Sequence, residues 1–447
     1  MVTRRQFNLG LTALAFAGLT GCALGNNPHA RTANISRGYG VLIPDPDKLL
    51  DLPKGFSYQV ISSFNQAMSD GFHVPDRADG MGCLPLDDNL VALVRNHELK
   101  PSHLDLQPES IRSHQSADAY DTFSDGTALP GGTSTIIFNL KTQQVEQEFL
   151  SLVGTIRNCA GGITPWNTWL TCEESLDRAN GVISKDHGYV FEVPADAKSI
   201  VKASPLKAMG RFNHEAAAVD PKTGIVYLTE DRDDSLFYRF IPNTFGKLMD
   251  GGQLQALVIK NKPQFDSRNW TSITMPLFSW FNTDWINITN PESPNDDLRL
   301  QGYSKGAARF ARGEGIHWAD NELYFCCTSG GNKQLGQIMR YQPTQSGGRI
   351  QLFLESQDKT LYNFGDNLTV TPKGHLFVCE DQYTDIVDNH IRAVTPEGKL
   401  YNFGRLHEQT ELAGACFSPD GSTLFVNVYS PTKTLAITGP WHDFMNV

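Results

Sequence analysis

One unit recurs along this chain and restricts the fold more than any other feature: a glycine-rich head carrying a polar residue, a strand, a turn, and a second strand ending in a polar pair. It occurs six times: Asp79-Gly80-Met81-Gly82 to His97-Glu98, Asn158-Cys159-Ala160-Gly161-Gly162 to Glu173-Glu174, Asn213-His214-Glu215 to Glu230-Asp231, Gly313-Glu314-Gly315 to Cys326-Cys327-Thr328, Gly365-Asp366-Asn367 to Glu380-Asp381, and Ala413-Gly414-Ala415 to Val428-Tyr429. The turns place proline early and glycine late, as in Asp220-Pro221-Lys222-Thr223-Gly224, Thr371-Pro372-Lys373-Gly374 and Ser418-Pro419-Asp420-Gly421. That is the chemistry of a tight reversal, so each unit reads as a β-hairpin. Hairpins repeating at a spacing of roughly 50 residues predict an all-β, six-bladed β-propeller with loop insertions.

Two wider gaps are expected insertions, near 102–130 and 263–300, the second holding Trp270, Trp280 and Trp285. Both are expected as long loops that can form lids. The propeller is expected over 46–447 as one domain, preceded by a flexible linker over 23–45. Residues 1–22 read as an address. Thr3-Arg4-Arg5-Gln6-Phe7 leads into an apolar run from Leu9 to Leu19, too short to span a membrane, and Leu19-Thr20-Gly21-Cys22 resembles a lipoprotein cleavage box. The expected protein leaves by the twin-arginine route and sits in the periplasm or cell envelope, on a membrane only through lipid on Cys22. Of eight cysteines, removing Cys22 leaves an odd number, and folding before export makes disulfides a poor default.

A hairpin brings the start of its first strand and the end of its second to the same end. In a closed ring the polar heads Asp79, Cys159, Glu215, Glu314, Asp366 and Asn367 therefore meet the tails Glu98, Glu173 or Glu174, Glu230 or Asp231, and Glu380 or Asp381 around one rim. Only one member of each acidic pair can point to the axis, and spacing does not say which. Crowded carboxylates call for cations, and oxygen ligands suit Ca²⁺. Cys159 reads equally as a buried small side chain or as a soft ligand for a metal such as iron. Arg312 beside Glu314 is either its ion-pair partner or a group for phosphate oxygens, and the surrounding acids favour the second. His97 and His214 each precede a Glu and read as structural. A net charge of −11 argues against a nucleic-acid partner held by charge. The sequence has no P-loop, nucleophile elbow or histidine pair with zinc spacing.

Several strings resemble the PhoX-type alkaline phosphatases: Asn158-Cys159-Ala160-Gly161-Gly162, Thr164-Pro165-Trp166, Trp169-Leu170-Thr171-Cys172-Glu173-Glu174, His214-Glu215-Ala216, Phe417-Ser418-Pro419-Asp420-Gly421 and Ile437-Thr438-Gly439-Pro440-Trp441. They run in order from Asp79 to Trp441. The resemblance implies hydrolysis of small phosphomonoesters at iron and calcium in the channel mouth, without a protein nucleophile. Carried over, it makes Cys159, Glu215 and Glu314 iron ligands, with Glu174 and other rim groups, here Glu98, Asp366, Asn367 and Glu380, for calcium. Arg312 is then the catalytic residue that grips phosphate, and a monomer is expected. A calcium-dependent lactonase and a non-catalytic binding propeller are the other readings. Cys159 argues against the lactonase.

Overall fold

The computed structural model describes residues 35–344, 347–382 and 384–444, so the expected signal segment lies outside the described residues. All six hairpins form. Their strands are Ala78–Pro85 with Leu90–His97, Asn158–Ile163 with Thr168–Glu173, His214–Val219 with Val226–Glu230, Gly313–Ala319 with Glu322–Cys327, Gly365–Val370 with Leu376–Glu380, and Leu412–Phe417 with Thr423–Val428. The predicted turns close as the sequence requires. Gly224, Gly374 and Gly421 take positive φ of 72°, 78° and 71°, and each amide returns to the chain three or four residues back, as Gly421 does to Ser418 O at 2.8 Å.

The first strands of the six hairpins pack side by side, each against the next and the last against the first, which closes a ring. Small residues permit it. A Cβ on Gly80 would fall 2.5 Å from Ala160 Cα, and one on Gly315 would fall 2.7 Å from Asp366 O. Further strands extend most hairpins outward, and the fold is all-β and propeller-like.

The sheets among the described residues number five. The expectation of six separate blades misses a strand inside the second insertion. Phe281–Asn287 pairs with Gly252–Ile259 on one side and with Gly347–Glu355 on the other, which joins the third and fourth units into one nine-stranded sheet. That insertion also holds the short helix Leu298–Ser304, and the first carries the 3-10 segment Pro101–Leu106 and the helical turn Glu109–Arg112. Neither is a bare loop.

The described part of the expected linker also belongs to the fold. Leu42–Ile43 pairs with Leu50–Pro53, which pairs with Leu400–Leu406. Tyr39 is buried among Phe56, Phe403 and Trp441, and an aromatic cluster of this kind more than offsets the entropy of ordering the segment. The strand Ser57–Ser63 completes the last sheet by pairing with Lys433–Thr438, so an early strand closes the last unit. Arg95 locks that closure. Fully buried, it donates to Ser62 Oγ at 3.0 Å, Thr434 Oγ1 at 2.7 Å and Glu148 Oε1 at 2.8 Å.

Candidate metal centre

Each first strand breaks register at the same place. The ladder slips between Ala78 and Met81, Asn158 and Gly161, His214 and Ala217, Gly313 and Ile316, Gly365 and Leu368, and Ala413 and Cys416. The residues inside these bulges are Asp79, Cys159, Glu215, Glu314, Asp366 and Gly414, each followed by Gly, Ala or Asn. A bulge bends its strand and re-aims a side chain, and here it turns five functional heads toward one mouth. Arg77, Arg157, Arg312 and Phe364 stand two residues before four of these heads in left-handed backbone, at φ of 57°, 51°, 51° and 53°. Such strain persists in non-glycine residues only where the surroundings hold it.

Three groups of ligand atoms result, each with all members within 4.8 Å of one another: Cys159, Glu174 and Glu215; Glu215, Glu314 and Asp366; and Asp366, Asp381 and Glu411. Glu215 and Asp366 are shared, so the groups form a chain across the mouth. Cys159 Sγ lies 3.2 Å from Glu215 Oε1 and 3.5 Å from Asp79 Oδ2. Arg312 bridges two carboxylates, donating to Asp231 Oδ1 and Oδ2 at 2.6 and 3.1 Å and to Glu314 Oε1 at 2.9 Å.

The pairs at the strand ends are resolved by register. The first member still lies in the ladder, opposite a head-preceding residue, as Glu380 lies opposite Gly365 and Glu173 opposite Asn158. It points away from the mouth. Glu380 accepts from Arg392 Nε and from Asn363 N, both at 2.8 Å, Glu173 binds His187 at 2.6 Å, and Glu230 accepts from Tyr238 OH at 2.9 Å. The second member reaches the mouth. Of the residues read from the sequence, Cys159, Glu174, Glu215, Glu314 and Asp366 lie in these groups, whereas Glu380 points away from them and Asp381 lies in the third. Glu98 is in none of the three groups and accepts from Arg157 Nε at 2.8 Å. Asn367 braces the ring: its Oδ1 accepts from Gly414 N at 3.2 Å, and its Nδ2 donates to Asp366 Oδ1 at 3.4 Å. His97 and His214 are structural, bound to Asp76 O and Gly210 O, both at 3.0 Å.

Burial pushes Asp79, Glu215, Glu314 and Glu411 well above the usual carboxylate range, and neighbouring carboxylates add to it. Glu174 and Asp366 are pushed up to about 8 for the same reasons. Burial and the acids beside it also push the Cys159 thiol up. Asp231 goes the other way: burial raises it, but the charge and hydrogen bonds of Arg312, with Glu174 and Arg232, together lower it. Asp79 Oδ1 and Glu215 Oε2 are buried without a hydrogen-bond partner. A buried carboxylate oxygen without a donor is costly, so a cation is the fitting occupant. A thiol among carboxyls suits iron, and the all-oxygen groups suit calcium.

Asp381 was one of two alternatives at its position, whereas Arg157 and Glu411 lie at the mouth without having been read from the sequence as site residues. Arg157 was legible: Arg77-Ala78-Asp79, Arg157-Asn158-Cys159 and Arg312-Gly313-Glu314 repeat one spacing of arginine before a head. Glu411 had no such signal, since it precedes a hairpin whose own head is Gly414.

An all-β ring that gathers a thiol, clustered carboxyls and arginines at one mouth has the makings of a phosphatase that works with metals. The family is specific: the model for alkaline phosphatase PhoX matches residues 37–138 and 122–432, and the chain belongs to the PhoX alkaline phosphatase family. Among solved structures, Pseudomonas fluorescens PhoX in complex with vanadate, a transition state analogue, is similar over 91% of this chain and 98% of that one, with a TM-score of 0.67 and 18% identity. A gluconolactonase from Xanthomonas campestris covers 92% of this chain and 99% of its own at a TM-score of 0.45 and 12% identity. No curated protein sequence matches the chain.

Proposed function

We propose that this member is an exported phosphatase that hydrolyses phosphomonoesters at iron and calcium held in the mouth of a six-bladed propeller, with its third and fourth blades joined through Phe281–Asn287. The observation that carries the reading is the chain of three ligand groups, with unpartnered oxygens on Asp79 and Glu215. Cys159, Glu215 and Glu314 would hold iron, and Glu174, Asp366, Asp381 and Glu411 would hold calcium. Bound there, the metals would supply Lewis acidity toward a phosphoryl oxygen. The chain's own part is to position and neutralise. Arg312 presents a guanidinium that can donate to the phosphoryl group, and Asp231, which takes its Nε and Nη2, fixes its orientation. Because those hydrogen bonds strengthen as charge builds on the oxygens, they act on the transition state more than on the ground state. The vanadate in the Pseudomonas relative supports a phosphoryl-transfer reading for this mouth.

Export rests on the Arg4-Arg5 signal and the Cys22 box. The seven cysteines among the described residues are free and buried, which suits a chain folded in a reducing compartment before it leaves. Replacing Cys159 by serine tests the metal assignment: the purified variant should lose iron, keep calcium, and lose more than about 100-fold of its p-nitrophenyl phosphate hydrolysis. Retention of iron and activity would remove Cys159 from the ligand set.

A further inference from the structure

The metal centre and Arg312 leave a second group of basic side chains on the same mouth without a role. Arg77 and Arg157 stand on the first two hairpins at the position that Arg312 holds on the fourth, all three in left-handed backbone. The segment that leaves the end of strand Leu90–His97 is laced between them. Glu98 N donates to Arg77 O at 2.9 Å, and Arg157 N donates to Leu99 O at 3.0 Å. Next comes exposed Lys100, whose backbone N–H donates to His103 Nδ1 at 3.2 Å. With Nδ1 accepting, the neutral ring carries its proton on Nε2 and offers a donor there.

Arg157 ties this strip to the metal centre, because its Nη1 donates to Glu174 O at 2.8 Å and its Nη2 reaches the Glu174 carboxylate. Arg77 joins through Tyr429, accepting at 2.9 Å, and Tyr429 donates to Glu98. Glu98 and Glu174 are the carboxylates paired with Arg157 in this group. Nearby Asp76 is turned to Ser430 Oγ and Thr432 N, at 2.8 and 2.9 Å. Burial and then the charges of Arg77 and Lys100 push His103 down, and Glu98 works against them.

We propose that Arg77, Lys100, His103 and Arg157 form a second anion subsite, which takes the non-reacting phosphate of a bisphosphorylated substrate while its other phosphate lies at the metal centre against Arg312. This rests on the phosphatase reading above and names the substrate class for the same mouth. Charged donors to a phosphate make strong hydrogen bonds.

The test uses the purified full chain with its metals and measures phosphate release from fructose 6-phosphate, fructose 1,6-bisphosphate and p-nitrophenyl phosphate. The bisphosphate should show a KM at least about tenfold below that of the monophosphate, as one or two charge-assisted hydrogen bonds allow. The double substitution Lys100→Ala with His103→Ala should collapse that ratio toward one, chiefly through the KM of the bisphosphate. Equal KM values in the unmodified enzyme overturn the subsite, as does a ratio that survives the double substitution. An enzyme that releases phosphate from none of the three overturns the phosphatase reading itself, and the subsite with it.

Discussion

Replacing Arg312 by alanine should lower kcat/KM for p-nitrophenyl phosphate by about 100- to 1,000-fold, the usual loss when one preorganised donor to developing negative charge is removed. Most of it should appear in kcat, because the lost hydrogen bonds are those that strengthen in the transition state. Arg312 also pairs with Asp231 and Glu314, so the metal content of the variant must be measured beside its kinetics. A loss of activity with metals retained assigns Arg312 to phosphate. Arg312→Lys separates charge from geometry: an ammonium keeps the charge but lacks the planar fork of the guanidinium, and it should recover only a small part of the rate. Full activity in Arg312→Ala would move phosphate binding elsewhere on the mouth.

The second large effect is on stability after the metals are stripped. In the metal-free protein Glu174 and Asp366, with ordinary values of 4.5 and 3.8, are pushed up to about 8 by burial and neighbouring charge. Across the window from about 4 to 8 the folded chain holds protons that the unfolded chain has released, so stability falls as pH rises through it and levels off above. Moving the titration of one carboxyl by a single pH unit is worth about 1.4 kcal/mol, which makes the loss several kcal/mol even where the two groups share part of it. Bound cations replace those protons and remove the dependence. Thermal melts of loaded and chelator-treated protein should therefore lie closest near pH 5 and separate steadily toward pH 8. A constant gap across that range would show that these carboxyls do not share a cation.

Much of this was written in the sequence because a hairpin is a local object. Turn chemistry marked three of the six reversals, and hairpin geometry put heads and tails at one end before any ring was known. Cys159, Glu215, Glu314 and Asp366 were legible as heads for that reason. What sequence did not carry depends on register or on tertiary pairing. Glu380 and Asp381 are equivalent by composition, and only the bulge after Gly365 shows that the last ladder position falls on Glu380 and leaves Asp381 to the mouth. Glu411 joins the cluster because ring closure brings the sixth hairpin beside the fifth. Phe281–Asn287 looked like loop because its partners, Gly252–Ile259 and Gly347–Glu355, are strands far apart in sequence. The stretch from Ile35 to Ile43 read as linker because most of the aromatic partners of Tyr39, Phe403 and Trp441 among them, lie at the other end of the chain.

The central claim is that one mouth of this ring holds iron together with calcium and uses them to release phosphate. Elemental analysis of the purified protein tests it most directly, with p-nitrophenyl phosphate hydrolysis assayed on the same sample before and after chelation. Iron and calcium both present, with hydrolysis that the chelator abolishes, is the predicted result. Calcium alone, with no phosphate released, would contradict it.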